Sequence, residues 1–272
     1  MNNIHYLAEK PVVSPSTTLS KPIELYVFMD LLSRGSWELQ SLIRQLQISY
    51  GQYFSLRIVL STELNSLNTA CQRINSCESH EDLVDVAHPV LPSIAVKAAE
   101  LQGKKAGYRY MMKLQEYALI DTKNVCQCST LQEIAIETGL DIEEFQSDFL
   151  SIEASRAFQS DLCITREMEV EEVPSFVFFN ENIEDAGLKV SGSYSYEVYE
   201  RILEELLDEK LVCQQPPSVE DLFHRYHTLT TKEVAAIYNI SLNTAERELK
   251  KKMLQQKLDR VNCDELSLWR LK

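Results

Sequence analysis

A chain of 272 residues with 44% hydrophobic and 25% charged side chains has the size and composition to bury a substantial core, as one large domain or two smaller ones. Its net charge of −14 argues against nucleic acid and anionic membrane as partners and suits a basic protein surface. No apolar run reaches the roughly 20 residues that cross a bilayer, and the opening "MNNIHYLAEKPVVSPSTT" lacks the basic-then-apolar pattern of a secretory signal. Seven cysteines, odd in number and without framework spacing, fit reduced thiols, so a cytoplasmic protein is expected.

In chain order, residues 1–21 are polar, carry Pro11, Pro15 and a Ser/Thr run, and read as a flexible arm. "IELYVFM" then reads as a buried strand. It feeds a helix from about Ser36 to Tyr50, with Leu39, Leu42, Ile43 and Leu46 at helical spacing and Gly51 as its stop. "YFSLRIVLS" supplies a second strand, completing strand, helix, strand. From about 62 to 168 the pattern turns helical. "SIAVKAAELQGKKAGYRYMMKLQEYAL" is interrupted at Gly103, Ser129 with Gln132 has capping-box spacing, Gly139 ends that helix, and Asp141 with Glu144 opens the next.

Sheet resumes at "EEVPSFVFFN", where Pro174 belongs at a strand start because it has no N–H for a ladder. "GLKVSGSYSYEVYERILEELL" adds a strand and a helix with Val198, Ile202 and Leu206 on one face. "QQPP" breaks the pattern as a linker does. Beyond it, Ser218 caps a helix whose stripe is Val219, Leu222, Phe223, Tyr226 and Leu229. Thr230 and Glu233 box a second helix, Ser241 opens a third, and a hairpin follows. Helix, helix, helix, hairpin is the order of a winged helix. Charge divides at the same place: residues 216–272 carry 10 Lys/Arg against 8 Asp/Glu, leaving −16 on residues 1–215.

The join of the first strand and helix, "DLLSRGSW", puts Ser33 and Ser36 where a thioredoxin-type fold carries Cys-x-x-Cys, since a helix N-terminus lowers a thiol pKa. Serines form no disulfide, so thiol–disulfide exchange by this pair is excluded. Two uses remain open. One is helix capping by Ser36 with protein docking. The other is stabilisation of a substrate thiolate, as in the kappa-class glutathione transferases and hydroxychromene isomerases, whose "SPYSW" resembles "SRGSW" here. That second reading makes Ser33 the working residue of a glutathione-dependent transferase or isomerase.

The combination of this join, the helical insertion and Val173-Pro174 before an apolar strand resembles the DsbA-like branch of the thioredoxin superfamily over residues 22–208. More narrowly, "KAAELQGK", "GLD…F…D", "REMEVEEVPSFVFF" and "GLKVSGSYSY" together are similar to the SpxH (YjbH) family of adapter proteins. The resemblance implies an α/β protein: a DsbA-type thioredoxin-like domain at 22–210 with its insertion at about 62–168, a linker at 211–217, and a small winged-helix-like domain at 218–272. It implies no enzymatic chemistry and no cofactor. It implies a stress transcription regulator of the Spx type as partner, handed to the ClpXP protease (ClpX with ClpP). It also implies a cis Pro174, and a partner groove formed by Leu31, Leu32, Arg34, Trp37, Val173 and Pro174. Many relatives carry cysteines at the Ser33/Ser36 slot and a Cys/His-rich N-terminal stretch assigned to zinc; here the arm has only His5.

Remaining candidates read as structural. Cys126-x-Cys128 lacks the further ligands of a tight metal site. His224 and His227 read as a solvated helix face, so no metal is expected. The third C-terminal helix would offer Asn243, Glu246, Arg247 and Lys250 to DNA. Glu246 and Glu248 repel phosphate, and a net +2 is too small for a DNA reader, so protein contact is expected instead.

Overall fold

The structure, a computed structural model, describes residues 4–7, 21–61, 90–182, 187–263 and 266–272. By contact density the chain divides into two units, the first including Ile23–Trp37 and Leu56–Ser193, the second Glu38–Ser55 and Tyr194–Lys272. Cys71, Cys77 and the first part of the expected helical insertion lie outside the described residues.

In the first unit the sheet runs β1-β5-β4-β2-β3, with β1 at Ile4–Leu7, β2 at Ile23–Met29, β3 at Phe54–Leu60, β4 at Ser175–Phe179 and β5 at Gly187–Ser191. β2–β4, β4–β5 and β1–β5 are antiparallel. β1 corrects the reading of residues 1–21 as an arm throughout: Ile4 to Leu7 pair with Val190 to Gly187. A polar, proline-bearing segment gives no sign of this, because edge pairing uses backbone groups that the side-chain pattern does not encode.

β2 and β4 are buried along almost their whole length, which is why they read as continuous apolar runs. One sheet face gathers Tyr26, Phe28, Val59, Val177 and Phe179 under Ile164 of a covering helix and Met168 at its C-cap. Residues two apart share a face of a strand, so 26 with 28 and 177 with 179 point the same way. Tyr26 meets Phe179 edge to face at 5.7 Å.

The helical insertion contains α2 (Leu91–Leu101), α3 (Lys104–Leu119), α4 (Cys128–Glu137), α5 (Ile142–Phe149) and α6 (Ile152–Glu167). Gly103 separates α2 from α3 as expected, at φ +123°, a conformation that side-chain-bearing residues rarely adopt. Asp141 caps α5 by accepting the Glu144 N–H. Ser129 caps nothing; α4 starts one residue earlier, after Gln127. Within the insertion Lys97 lies in a buried ion pair with Asp161 at 2.7 Å. Asp161 also accepts the Leu60 N–H at 2.9 Å, so the charge pair closes the end of β3.

The second unit holds most of α1 (Arg34–Tyr50), α7 (Tyr196–Leu207), α8 (Val219–Tyr226), α9 (Thr231–Ile237), α10 (Leu242–Leu254) and a sheet ordered β6-β8-β7, from Thr228–Thr230, Leu266–Leu271 and Leu258–Cys263. The caps by Ser218 and Ser241 and the Thr230/Glu233 box are all present. The helix order and the closing hairpin match the sequence reading, with β6 added; Leu229 belongs to that strand. On α7 the buried face is Tyr199, Ile202 and Leu203, one step round from the stripe expected through Val198 and Leu206.

Two features differ from the expected domain plan. The unit boundary cuts α1 and does not follow residues 211–217. Those linker residues are also tied down: Gln214 N–H donates to Ser49 O at 2.8 Å, and Val212 bonds both Gln52 and Tyr53. Deeper in the unit, Arg44 is buried on α1. It donates to Glu233 Oε1 at 2.9 Å and Thr228 O at 3.0 Å, and lies 5.0 Å from the Tyr226 ring centre.

Candidate functional site

The candidate site forms where β2 ends. Asp30 turns the chain: its side chain accepts the Leu32 N–H at 3.1 Å and its carbonyl accepts the Ser33 N–H at 3.3 Å. Gln115 of α3 steadies the turn by donating to Leu31 O at 3.0 Å. Ser33 then caps α1, its Oγ accepting the Ser36 N–H at 3.1 Å, and the two hydroxyls bond each other at 2.9 Å. The cap is therefore Ser33 and not Ser36, because the helix begins two residues before the expected start, at Arg34. Ser36 is fully buried.

Hydroxyls in this arrangement serve the backbone. A serine nucleophile needs an adjacent base, and the partners of Ser33 and Ser36 are each other and a main-chain N–H.

Val173-Pro174 is a cis peptide. Pro174 O accepts the Gly192 N–H at 2.8 Å, and Ser175 Oγ donates to Glu172 O at 2.7 Å. The β2–β4 register pairs Phe28 with Ser175. One step further on, that register sets Pro174 across from Met29, beside the turn that leads to Ser33. Of the residues expected to line a groove, Arg34 is exposed, and Leu32, Trp37, Val173 and Pro174 are half-buried. Leu31 is different: at 2% exposure it is a core residue and offers a partner nothing. Its apolar character is the same signal in either role, so the sequence did not distinguish them.

Elsewhere, Cys126 and Cys128 are half-buried free thiols, and burial pushes Cys126 up from its ordinary pKa. His224 and His227 are exposed. Among the described residues no group of three or more His, Cys, Asp and Glu is placed to hold a metal ion. Glu246 pairs with Lys250 and Glu248 with Lys251 on α10. Each bond holds its carboxyl below the ordinary range.

A strand–helix join with paired hydroxyls, a neighbouring strand that opens on a cis-proline and a helical insertion between them define a DsbA-type thioredoxin fold without its redox pair. A thioredoxin family profile matches residues 26–201. Solved structures of similar fold include Pseudomonas aeruginosa DsbA (TM-score 0.52, 11% identity, 75% of this chain and 92% of that one) and oxidoreductase DsbA from Xylella fastidiosa (TM-score 0.50, 14%, 71% and 88%). At such identity they establish the fold alone. The curated relatives are far more similar. They include the ClpXP adapter protein SpxH of Halalkalibacterium halodurans, 36% identical over 92% of this chain and 89% of its own. The same-named proteins of Bacillus subtilis (36%) and Bacillus licheniformis (38%) match over the same shares. The chain belongs to the SpxH family of ClpXP adapter proteins. None of these relatives is a glutathione transferase, and that reading of Ser33 has no support from them.

Proposed function

We propose that this protein is an adapter that binds an Spx-type transcription regulator and promotes its degradation by ClpX with ClpP, with no redox or other catalytic step of its own. The observation that carries the reading is the Ser33/Ser36 pair, which retains the thioredoxin-type join while its hydroxyls are spent on each other and on the helix N-terminus. Similarity to SpxH relatives along nearly the whole chain supports the same role. The partner surface is the half-buried rim of Leu32, Trp37, Val173 and Pro174 with exposed Arg34. Such an adapter acts by raising effective concentration, so weak contacts suffice.

The protein works in the cytoplasm. Among the described residues no helix is long and apolar enough to cross a membrane. Nucleic acid is not its partner: the carboxylates of Glu246 and Glu248 already take up two of the cations on α10.

The test is a degradation assay with purified Spx, ClpXP and ATP. Adding the protein accelerates Spx loss and leaves an unrelated ClpXP substrate unchanged, and glutathione has no effect. Equal Spx turnover with and without the protein, across concentrations and at low salt, overturns the reading.

A further inference from the structure

The second unit contains a cavity of about 270 Å³ between α8, the end of α10 and the β7–β8 sheet. Phe223 and Leu258 lie behind its wall as core residues, and the apolar surface open to a ligand comes from half-buried Val219 and Leu271. Its rim carries Lys252 and Lys257 against the carboxylate of Glu220, and Lys272, which is paired with Asp259 at 3.2 Å. Lys252 and Lys257 both reach Glu220 Oε1, the second at 3.2 Å, so two ammonium groups share one acceptor oxygen. Lysine has three donors, and these two spend one each here. Cavities that hold cofactors and drug-sized ligands begin at about 300 Å³, which leaves this one sized for a side chain or two.

We infer that this cavity is a docking site for a short acidic-apolar peptide segment of a partner protein. An aliphatic side chain of the segment rests on Val219 and Leu271, and a neighbouring Asp or Glu takes the donors of Lys252 and Lys257. The argument is charge complementarity. On a chain of net charge −14, an acidic segment is repelled generally, and here it meets two lysines, Lys252 and Lys257, that share the one carboxylate of Glu220, while Lys272 is held by Asp259. Glu220 occupies the lysines when the site is empty and is displaced, at least in part, by the incoming acid. It holds its charge firmly, since the Lys252 hydrogen bond, its own backbone N–H and Lys257 bring its pKa down to about 2. It therefore competes at every physiological pH.

The inference stands apart from the adapter reading, because its test contains neither Spx nor ClpXP. The probe is the fluorescein-labelled peptide Gly-Ser-Leu-Glu-Asp-Leu-Gly, titrated by fluorescence anisotropy with the full-length protein at low salt. Saturable binding is expected, and the same peptide with glutamine and asparagine in place of its acids binds at least about tenfold more weakly. Lys252→Met/Lys257→Met weakens the acidic peptide by a similar factor, while Glu220→Gln tightens it several-fold by freeing the lysines. The opposite signs separate a peptide site from loss of folding, which would weaken both variants. Absence of saturable binding, indifference to the lysine pair, or no gain from Glu220→Gln overturns the inference. So does a labelled DNA duplex that binds through the same lysines and displaces the peptide.

Discussion

The Ser33 hydroxyl accepts the Ser36 N–H at 3.1 Å, and alanine there removes that acceptor from a buried donor. Ser33→Ala should cost about 1 kcal/mol, the usual value of an N-cap, read as a lower urea midpoint at unchanged slope. Neither serine gives the protein insulin-reducing activity, and Ser33→Cys/Ser36→Cys is the comparison that reveals any. Strong reduction by the unmodified chain after its thiols are alkylated would refute the non-redox reading. Arg44 presents a larger effect. Its guanidinium is 2% exposed and pairs with Glu233, whose other oxygen accepts the Thr230 N–H of the capping box. Arg44→Met should destabilise by about 3–5 kcal/mol, because it leaves the Glu233 carboxylate buried without its countercharge. Arg44→Met/Glu233→Gln should recover part of that loss, since the amide oxygen still serves the cap and no buried charge remains. A double variant as weak as the sum of its singles would show that the ion pair is not the source.

α2 and α3 come close at a glycine. A Cβ on Gly107 of α3 would lie 2.3 Å from Glu100 Cγ and 2.9 Å from its Cα, so Gly107→Ala should cost about 1–3 kcal/mol through displaced helices, measured by thermal melting. The role of Gly103 as the break between α2 and α3 was legible in the sequence, as were the caps at Asp141, Ser218 and Ser241 and the box at Thr230/Glu233, because capping is local chemistry at fixed spacing. Ser129/Gln132 has the same spacing and no box, since α4 begins at Cys128 and puts Ser129 inside the helix. Of the site, the Ser33/Ser36 join and Pro174 were legible, and the burial of Leu31 was not. The partner of Arg44 was equally hidden, for Glu233 lies 189 residues away and an arginine on a helix looks solvated until that contact exists. The same contact revises the meaning of "QQPP". A fragment of residues 22–208 keeps Arg44 and loses Glu233 and Thr228 O, so it should melt broadly or precipitate, and Arg44→Met within the fragment should sharpen its transition. A sharp, intact melt of the unaltered fragment would show that the C-terminal elements are dispensable.

Across the whole molecule, acid stability is set by carboxylates that keep their charge when folded. Glu133, Glu220, Glu246 and Glu248 are each held below the ordinary value near 4.5, and in each the largest cause is a lysine hydrogen bond, from Lys123, Lys252, Lys250 and Lys251. Glu100 goes the other way, raised by burial and only partly offset by Lys97. The sign follows from linkage. A carboxyl depressed in the folded state stays charged while its unfolded counterpart takes up a proton, so its contribution is complete above about 4.5 and is lost as pH falls through the folded value. For Glu220 that window runs from 4.5 down to about 2. A raised carboxyl does the opposite, and Glu100 favours the folded state as pH falls through its elevated value. Relief of self-repulsion in a chain of charge −14 adds to that mild acid gain before the ion pairs fail. Thermal melts at low ionic strength should therefore show a midpoint that holds or rises slightly as pH moves from neutral to mildly acid, then falls steadily below about 4.5. Glu220→Gln should start lower at neutral pH and lose less on acidification, because the group that titrates is gone. An acid limb identical in the variant and the parent would show that Glu220 and its two lysines contribute nothing to it.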